Sequence, residues 1–142
     1  MAVGQKPERI LVMRSQLGRA RGLGAAHAGA EHWWAERVTA LALVPLTVWF
    51  VISVLTLLGA DQPVVAAWAG RPLNAALLLA LVGITFHHTQ LGLQVVYEDY
   101  IDSITLRHAL VLATKGLCLL LALTAAVAII KMSISVPAAP VH

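Results

Sequence analysis

The chain has 142 residues, 59% of them hydrophobic and 12% charged, with a mean hydropathy of +0.80, against about half and about a quarter in an average soluble domain. So few charges cannot coat a water-soluble domain of 15.1 kDa, and an apolar excess of this kind belongs where lipid replaces water as solvent. The formal charge of +3 comes from scarce acids and a short basic N-terminal stretch rather than a Lys/Arg stripe, which argues against nucleic acid as a partner. A lone Cys118 excludes an internal disulfide framework and any multi-thiolate metal site, leaving the six histidines as metal-ligand candidates.

Before the first long apolar stretch, the chain holds one short apolar run, Ile10-Leu11-Val12-Met13. It is too short for the h-region of a signal peptide, so no cleavage is expected. The first dozen or so residues are expected to be disordered, and the Gly/Ala-rich stretch from Gly22 to Ala30 to be a flexible or interfacial lead-in. Apolar runs of about 20 residues, enough to cross a hydrocarbon core of about 30 Å at about 1.5 Å per residue, then occur three times. They predict an all-α integral membrane protein with three transmembrane helices at about 38–58, 72–97 and 106–130. The implied layout is a cytoplasmic segment 1–37, a membrane domain 38–131 and an outer tail 132–142.

Pro45 removes one backbone donor inside the first span and predicts a bend there. Gly59-Ala60-Asp61-Gln62-Pro63 ends that span, and Ala69-Gly70-Arg71-Pro72 opens the second, with a short loop carrying an interfacial Trp68 between them. Glu98, Asp99 and Asp102 close the second span and leave a brief connection to the third, which makes the two helices antiparallel neighbours. Lys115, the one charge within the third span, is read as snorkelling to the headgroups. Lys6, Arg9, Arg14, Arg19, Arg21 and Arg37 precede the first span, and Arg107 and Lys115 follow the second. The opposite side holds Arg71 and Lys131, so the N-terminus is expected inside and the C-terminus outside.

Polar residues within the spans carry the functional information, and the second helix holds most of them: Asn74, Thr85, His87, His88, Thr89, Gln90 and Gln94. At about 100° per residue, Asp99 falls on the face of His88, and Gly92 lies one turn along, leaving space beside the imidazole for a flat ring such as a porphyrin. His87 points about 100° away, so the two histidines cannot both ligate one iron from this helix. Intramembrane His and Gln also serve as plain interhelical hydrogen-bond partners, and the reading for His87 is a polar contact to another helix or subunit. Read on residue type alone, Arg37 is a headgroup anchor, Glu98-Asp99 a solvated helix end, and Tyr97 and Tyr100 an aromatic belt.

The string Phe86-His87-His88-Thr89-Gln90-Leu91-Gly92-Leu93-Gln94-Val95-Val96-Tyr97-Glu98-Asp99-Tyr100 resembles the second-helix signature of the D-type membrane-anchor subunit of succinate dehydrogenase, respiratory complex II. The resemblance extends to Gly22-Leu23-Gly24, His32-Trp33-Trp34, Arg37-Val38-Thr39-Ala40 and Pro45-Leu46, and covers the chain from Gly22 to the end of the third helix. It implies that His88 gives one axial ligand to a haem b shared with a second three-helix subunit, the C-type cytochrome b subunit. It further implies that Arg37 and His32 approach the haem propionates, with the His32-to-Arg37 spacing one residue off the family's. Asp99 and Tyr100 match the ubiquinone-site pair, with the tyrosine hydroxyl bonded to a quinone carbonyl near the inner face.

The implied partners are the C-type subunit, an iron–sulfur subunit and a flavoprotein subunit, at the bacterial inner membrane. The chain would contribute to quinone reduction, with succinate oxidation taking place in the soluble subunits. A haem-free structural anchor, a fumarate reductase anchor and, on the polar second helix alone, a small transporter or channel subunit stand as alternatives.

Overall fold

The computed structural model describes residues 26–135, with side chains from residue 29 to 134. The described residues form four helices: α1 (Ala26–Thr56), α2 (Gln62–Gly70), α3 (Pro72–Tyr100) and α4 (Ile104–Ser135). Three of them contain stretches long and apolar enough to cross a membrane, Gly29–Thr56, Pro72–Tyr100 and Ile104–Ile134. The expected disorder of the first dozen residues and the outer tail from 136 onward lie outside the described residues. Residues up to Glu31 form one unit, described only from Ala26 as the first turns of α1, and everything below concerns the second unit, from His32 onward.

The first span is expected to start at Val38, but α1 is already helical at Ala26, a stretch rich in alanine, the best helix former. The helix runs on through Pro45, which leaves the carbonyl of Leu41 without its usual amide donor. Past Thr56 the chain tightens into turns, with Leu57 N donating to Val54 O (3.1 Å) and Ala60 N to Leu57 O (3.0 Å). Gly59 makes that reversal at φ +79°, in open space where an added Cβ would meet nothing. Gly59→Ala therefore costs backbone strain alone, about 1–2 kcal/mol. The expected result is an earlier transition in an SDS-unfolding titration, and an unchanged midpoint would mean that the turn relaxes.

The segment between the first two spans, expected as a loop, is the short helix α2. Its start is written locally: Asp61 is extended (φ −69°, ψ 155°), its carbonyl receives the amides of Val64 and Val65, and Pro63 occupies the first turn, where no donor is needed. Pro72 ends it, because proline disfavours the helical region for the residue before it. Arg71 is accordingly extended (φ −61°, ψ 134°) and serves as the one-residue hinge between α2 and α3. At the other end of α3, residues 101–103 turn the chain, and Ser103 starts α4 by accepting the Arg107 amide on its carbonyl (2.9 Å) and the Leu106 amide on its Oγ (3.5 Å). So short a link sets α3 and α4 antiparallel.

Packing concentrates at the end of the bundle where α2 lies. Ala69, Ala75, Leu78 and Ile129 form a buried cluster surrounded by Trp49, Phe50, Trp68, Leu79, Val82 and Met132. Small residues let the helices approach, and Asn74 Nδ2 donating to Trp68 O (2.8 Å) and Ser133 Oγ to Gly70 O (3.2 Å) tie α2 to its neighbours. α1 joins through side chains: Trp49 stacks on Trp68 with ring centroids 5.8 Å apart, and Thr39 reaches His88. These contacts pair late α1 with α2 and early α1 with the second half of α3, so α1 and α3 run antiparallel. The apolar side chains Val38, Leu41, Val48, Leu112, Leu120 and Val127 remain exposed. In a chain of this composition, that surface is covered by lipid or by another apolar subunit.

Candidate functional site

The helical phase of α3 separates its two adjacent histidines. His87 is exposed and faces an open groove of about 270 Å³ between α3 and α4, lined also by Gly83, Phe86, Gln90, Cys118 and Ala122. It forms no hydrogen bond among the described residues, so of the two contacts expected for it, to another helix or to another subunit, the described residues supply neither. His88 is half-buried on the side of α1, where its Nδ1 lies 2.9 Å from Thr39 Oγ1. Its Nε2 is left without a partner among the described residues. Gly92, one turn along, has nothing within 4 Å of where a Cβ would stand, as is also true of Gly83 and Gly116. Openness therefore permits a planar group beside His88 but does not single out Gly92.

Two residues expected near the same group sit on α1, on different faces. His32 is seven residues before Thr39, which at about 100° per residue returns it to nearly the same face, about 10 Å nearer the N-terminal end. Its Nε2 is buried and has no hydrogen-bond partner among the described residues. Arg37 is two residues before Thr39 and so about 160° away on the helix. Its guanidinium lies over the Trp33 ring, 4.5 Å from the centroid, and Trp33 meets Trp34 edge-on at 5.3 Å. An orphaned buried nitrogen thus lies on the His88 side of α1, whereas Arg37, on another face, is stacked on Trp33 with its in-plane N–H groups still able to donate.

At the C-terminal end of α3 the structure sorts the acidic and aromatic cluster. Tyr97 OH is 3.0 Å from Thr114 Oγ1 and ties α3 to α4, while Gln94 Nε2 donates to Glu98 Oε1 at 2.9 Å. Tyr100, the last residue of α3, is 83% exposed, and neither it nor the exposed Asp99 has a hydrogen-bond partner among the described residues. Of the two tyrosines, Tyr100 is thus the one whose hydroxyl is available to an incoming molecule. Lys115 is also exposed on α4. Among the described residues, no three His, Cys, Asp or Glu side chains gather into a metal-binding group.

Three helices long and apolar enough to cross a membrane, with large apolar side chains exposed along them, define a membrane-embedded subunit. Residues 12–130 match the model of the succinate dehydrogenase/fumarate reductase transmembrane subunit family. The chain belongs to that family, as a hydrophobic membrane-anchor subunit. It is 35% identical over 102 residues to the succinate dehydrogenase hydrophobic membrane anchor subunit of Rickettsia bellii, covering 72% of this chain and 82% of that one. The subunit of the same name from Paracoccus denitrificans is 36% identical over 92 residues, 65% of this chain and 71% of its own. That of Rickettsia prowazekii is 30% identical over 120 residues, 84% and 96%. No solved structure gives a significant match.

Thr39 is the site residue that sequence reasoning missed. It was visible as part of Arg37-Val38-Thr39-Ala40, but nothing in the string says that it meets a histidine 49 positions later.

Proposed function

We propose that this subunit anchors the flavoprotein and iron–sulfur subunits of succinate dehydrogenase to the bacterial inner membrane, supplies one axial ligand to a haem b shared with a C-type cytochrome b subunit, and forms part of the ubiquinone site. The observation that supports this reading best is His88: a half-buried imidazole in the middle helix, satisfied on one nitrogen and unpartnered on the other. When bound, haem supplies a one-electron redox centre within the membrane. His88 Nε2 would hold the iron, Gly92 would leave the ring face clear, and His32 and Arg37 would meet the propionates, His32 from the His88 side of α1. The second ligand comes from the partner.

The N-terminus is inside and the C-terminus outside on this reading, because Arg37 lies in the N-terminal half of α1 and Arg107 in the first turn of α4, whereas Arg71 and Lys131 lie toward the opposite end, with the basic N-terminal stretch deciding the balance. Tyr100 then sits at the inner face, about 18 Å along α3 from His88 at about 1.5 Å per residue. Its hydroxyl donates to a quinone carbonyl oxygen, a bond that strengthens as negative charge develops on reduction. Asp99, on the face of His88, orients the site or relays a proton from the inner aqueous phase.

The assembly itself is testable. The spans expose His87 and Lys115, and an unpaired polar group in lipid costs several kcal/mol. Affinity purification of the tagged chain in mild detergent is expected to bring down a second three-helix subunit together with the two soluble subunits. A stable, monodisperse monomer would contradict the anchor role.

A further inference from the structure

We infer that Thr39 is the positioning residue that decides which nitrogen of His88 carries the proton, and thereby makes Nε2 the metal-binding atom; the inference rests on the haem reading above. One hydroxyl hydrogen must serve three short contacts. Thr39 Oγ1 lies 2.8 Å from the carbonyl oxygen of Ala35, 2.9 Å from that of Glu36 and 2.9 Å from His88 Nδ1. A threonine hydroxyl has one hydrogen and two lone pairs, and the two carbonyls can only accept. If the hydroxyl gave its hydrogen to His88, oxygen lone pairs would face each other at both short carbonyl contacts with no proton between them. The arrangement in which every contact is attractive has the hydroxyl donating back to the preceding helical turn, as threonine does within helices. Its lone pair then receives Nδ1–H of His88.

That assignment has one chemical consequence. A neutral imidazole with its proton on Nδ1 has its lone pair on Nε2, the nitrogen without a partner among the described residues. The other tautomer would present an N–H to a metal and could not ligate it. The hydrogen bond received by Thr39 also draws on the Nδ1–H bond, makes Nε2 more electron-rich and so favours ferric over ferrous iron. Because Thr39 is on α1 and His88 on α3, the same bond holds the ring plane against the first helix. It is the one hydrogen bond joining α1 to α3 among the described residues.

The test uses the assembled four-subunit complex with Thr39→Val, which keeps the branched shape and deletes the hydroxyl, Thr39→Ser, which restores it, and His88→Ala as reference. Haem retention is read by transfer to apomyoglobin, and the haem midpoint potential by optical redox titration. Thr39→Val is expected to weaken haem retention about tenfold, at the lower end for outer-sphere partners of metal-bound histidines. Its haem midpoint is expected to move upward, while Thr39→Ser stays close to the unaltered complex. If Thr39→Val does not assemble, Thr39→Ala removes the same hydroxyl with less bulk and is read in the same way.

Unchanged retention and potential in Thr39→Val, alongside haem loss in His88→Ala, would overturn the role of Thr39 and leave the ligand assignment standing. A Thr39→Ser variant as impaired as Thr39→Val would overturn it too, because the hydroxyl would not be the cause. Full haem retention in His88→Ala would instead remove the haem reading on which the inference rests.

Discussion

His88→Ala is expected to strip or severely perturb the b-type haem of the assembled complex, and His87→Ala to leave it in place. The two residues are adjacent in sequence and have the same side chain, so composition, depth and hydropathy are matched and only direction differs. His87 faces the groove between α3 and α4, and His88 faces α1, where Thr39 takes its Nδ1. A metal ligand must offer a lone pair in a fixed direction, and a second interaction that orients the ring is the usual companion of that role. Partial retention in His88→Ala is compatible with the account, because the partner's histidine remains. The readout is the haem-to-protein ratio with the reduced-minus-oxidised spectrum. Loss in His87→Ala with retention in His88→Ala would reverse the assignment.

Tyr100→Phe is expected to lower ubiquinone reductase activity at least tenfold, equivalent to about 1.4 kcal/mol of transition-state stabilisation, while succinate oxidation by a soluble dye acceptor continues. The substitution keeps the ring at the end of α3 and deletes one donor. The structure makes the contrast with Tyr97 available as a control. Tyr97 OH is already held by Thr114, so Tyr97→Phe loses an internal tie between helices and is expected to affect stability more than quinone turnover. Parallel loss of both activities in Tyr100→Phe would assign the residue to holding the complex together. No change in either would reduce it to an interfacial aromatic.

The three spans were legible because lipid imposes a constraint that composition alone satisfies: about 20 apolar residues per crossing, repeated three times. The antiparallel pairing of α3 and α4 followed from the shortness of the Ile101-Asp102-Ser103 link. α2 has its signals in the sequence: Asp61 and Pro63 mark a helix start, and Pro72 forces Arg71 out of the helical region. The same residues also fit the end of one span and the start of the next with a loop between, and nine residues are too few to form a span of their own.

A first span that starts at Val38 leaves His32 and Arg37 ahead of it with no helical phase relative to Thr39. Because α1 is helical from Ala26, the two fall on different faces of one helix. The face of His88 was legible from periodicity, whereas its partner was not. A hydrogen bond between residues 39 and 88 exists only once α1 folds back along α3, and no local pattern encodes it. Likewise Tyr97 and Tyr100 are equivalent by residue type, and only the family resemblance singles out Tyr100. In the structure, the position of Thr114 on α4 distinguishes the tethered hydroxyl from the free one.

The most direct test is the pyridine haemochrome and dithionite-reduced absorption spectrum of the purified complex carrying this subunit beside its three partners. One haem b per complex, lost or spectrally altered by His88→Ala and preserved by His87→Ala, is the predicted result. A four-subunit complex that reduces quinone and contains no b-type haem would contradict the account and leave this chain as an anchor alone.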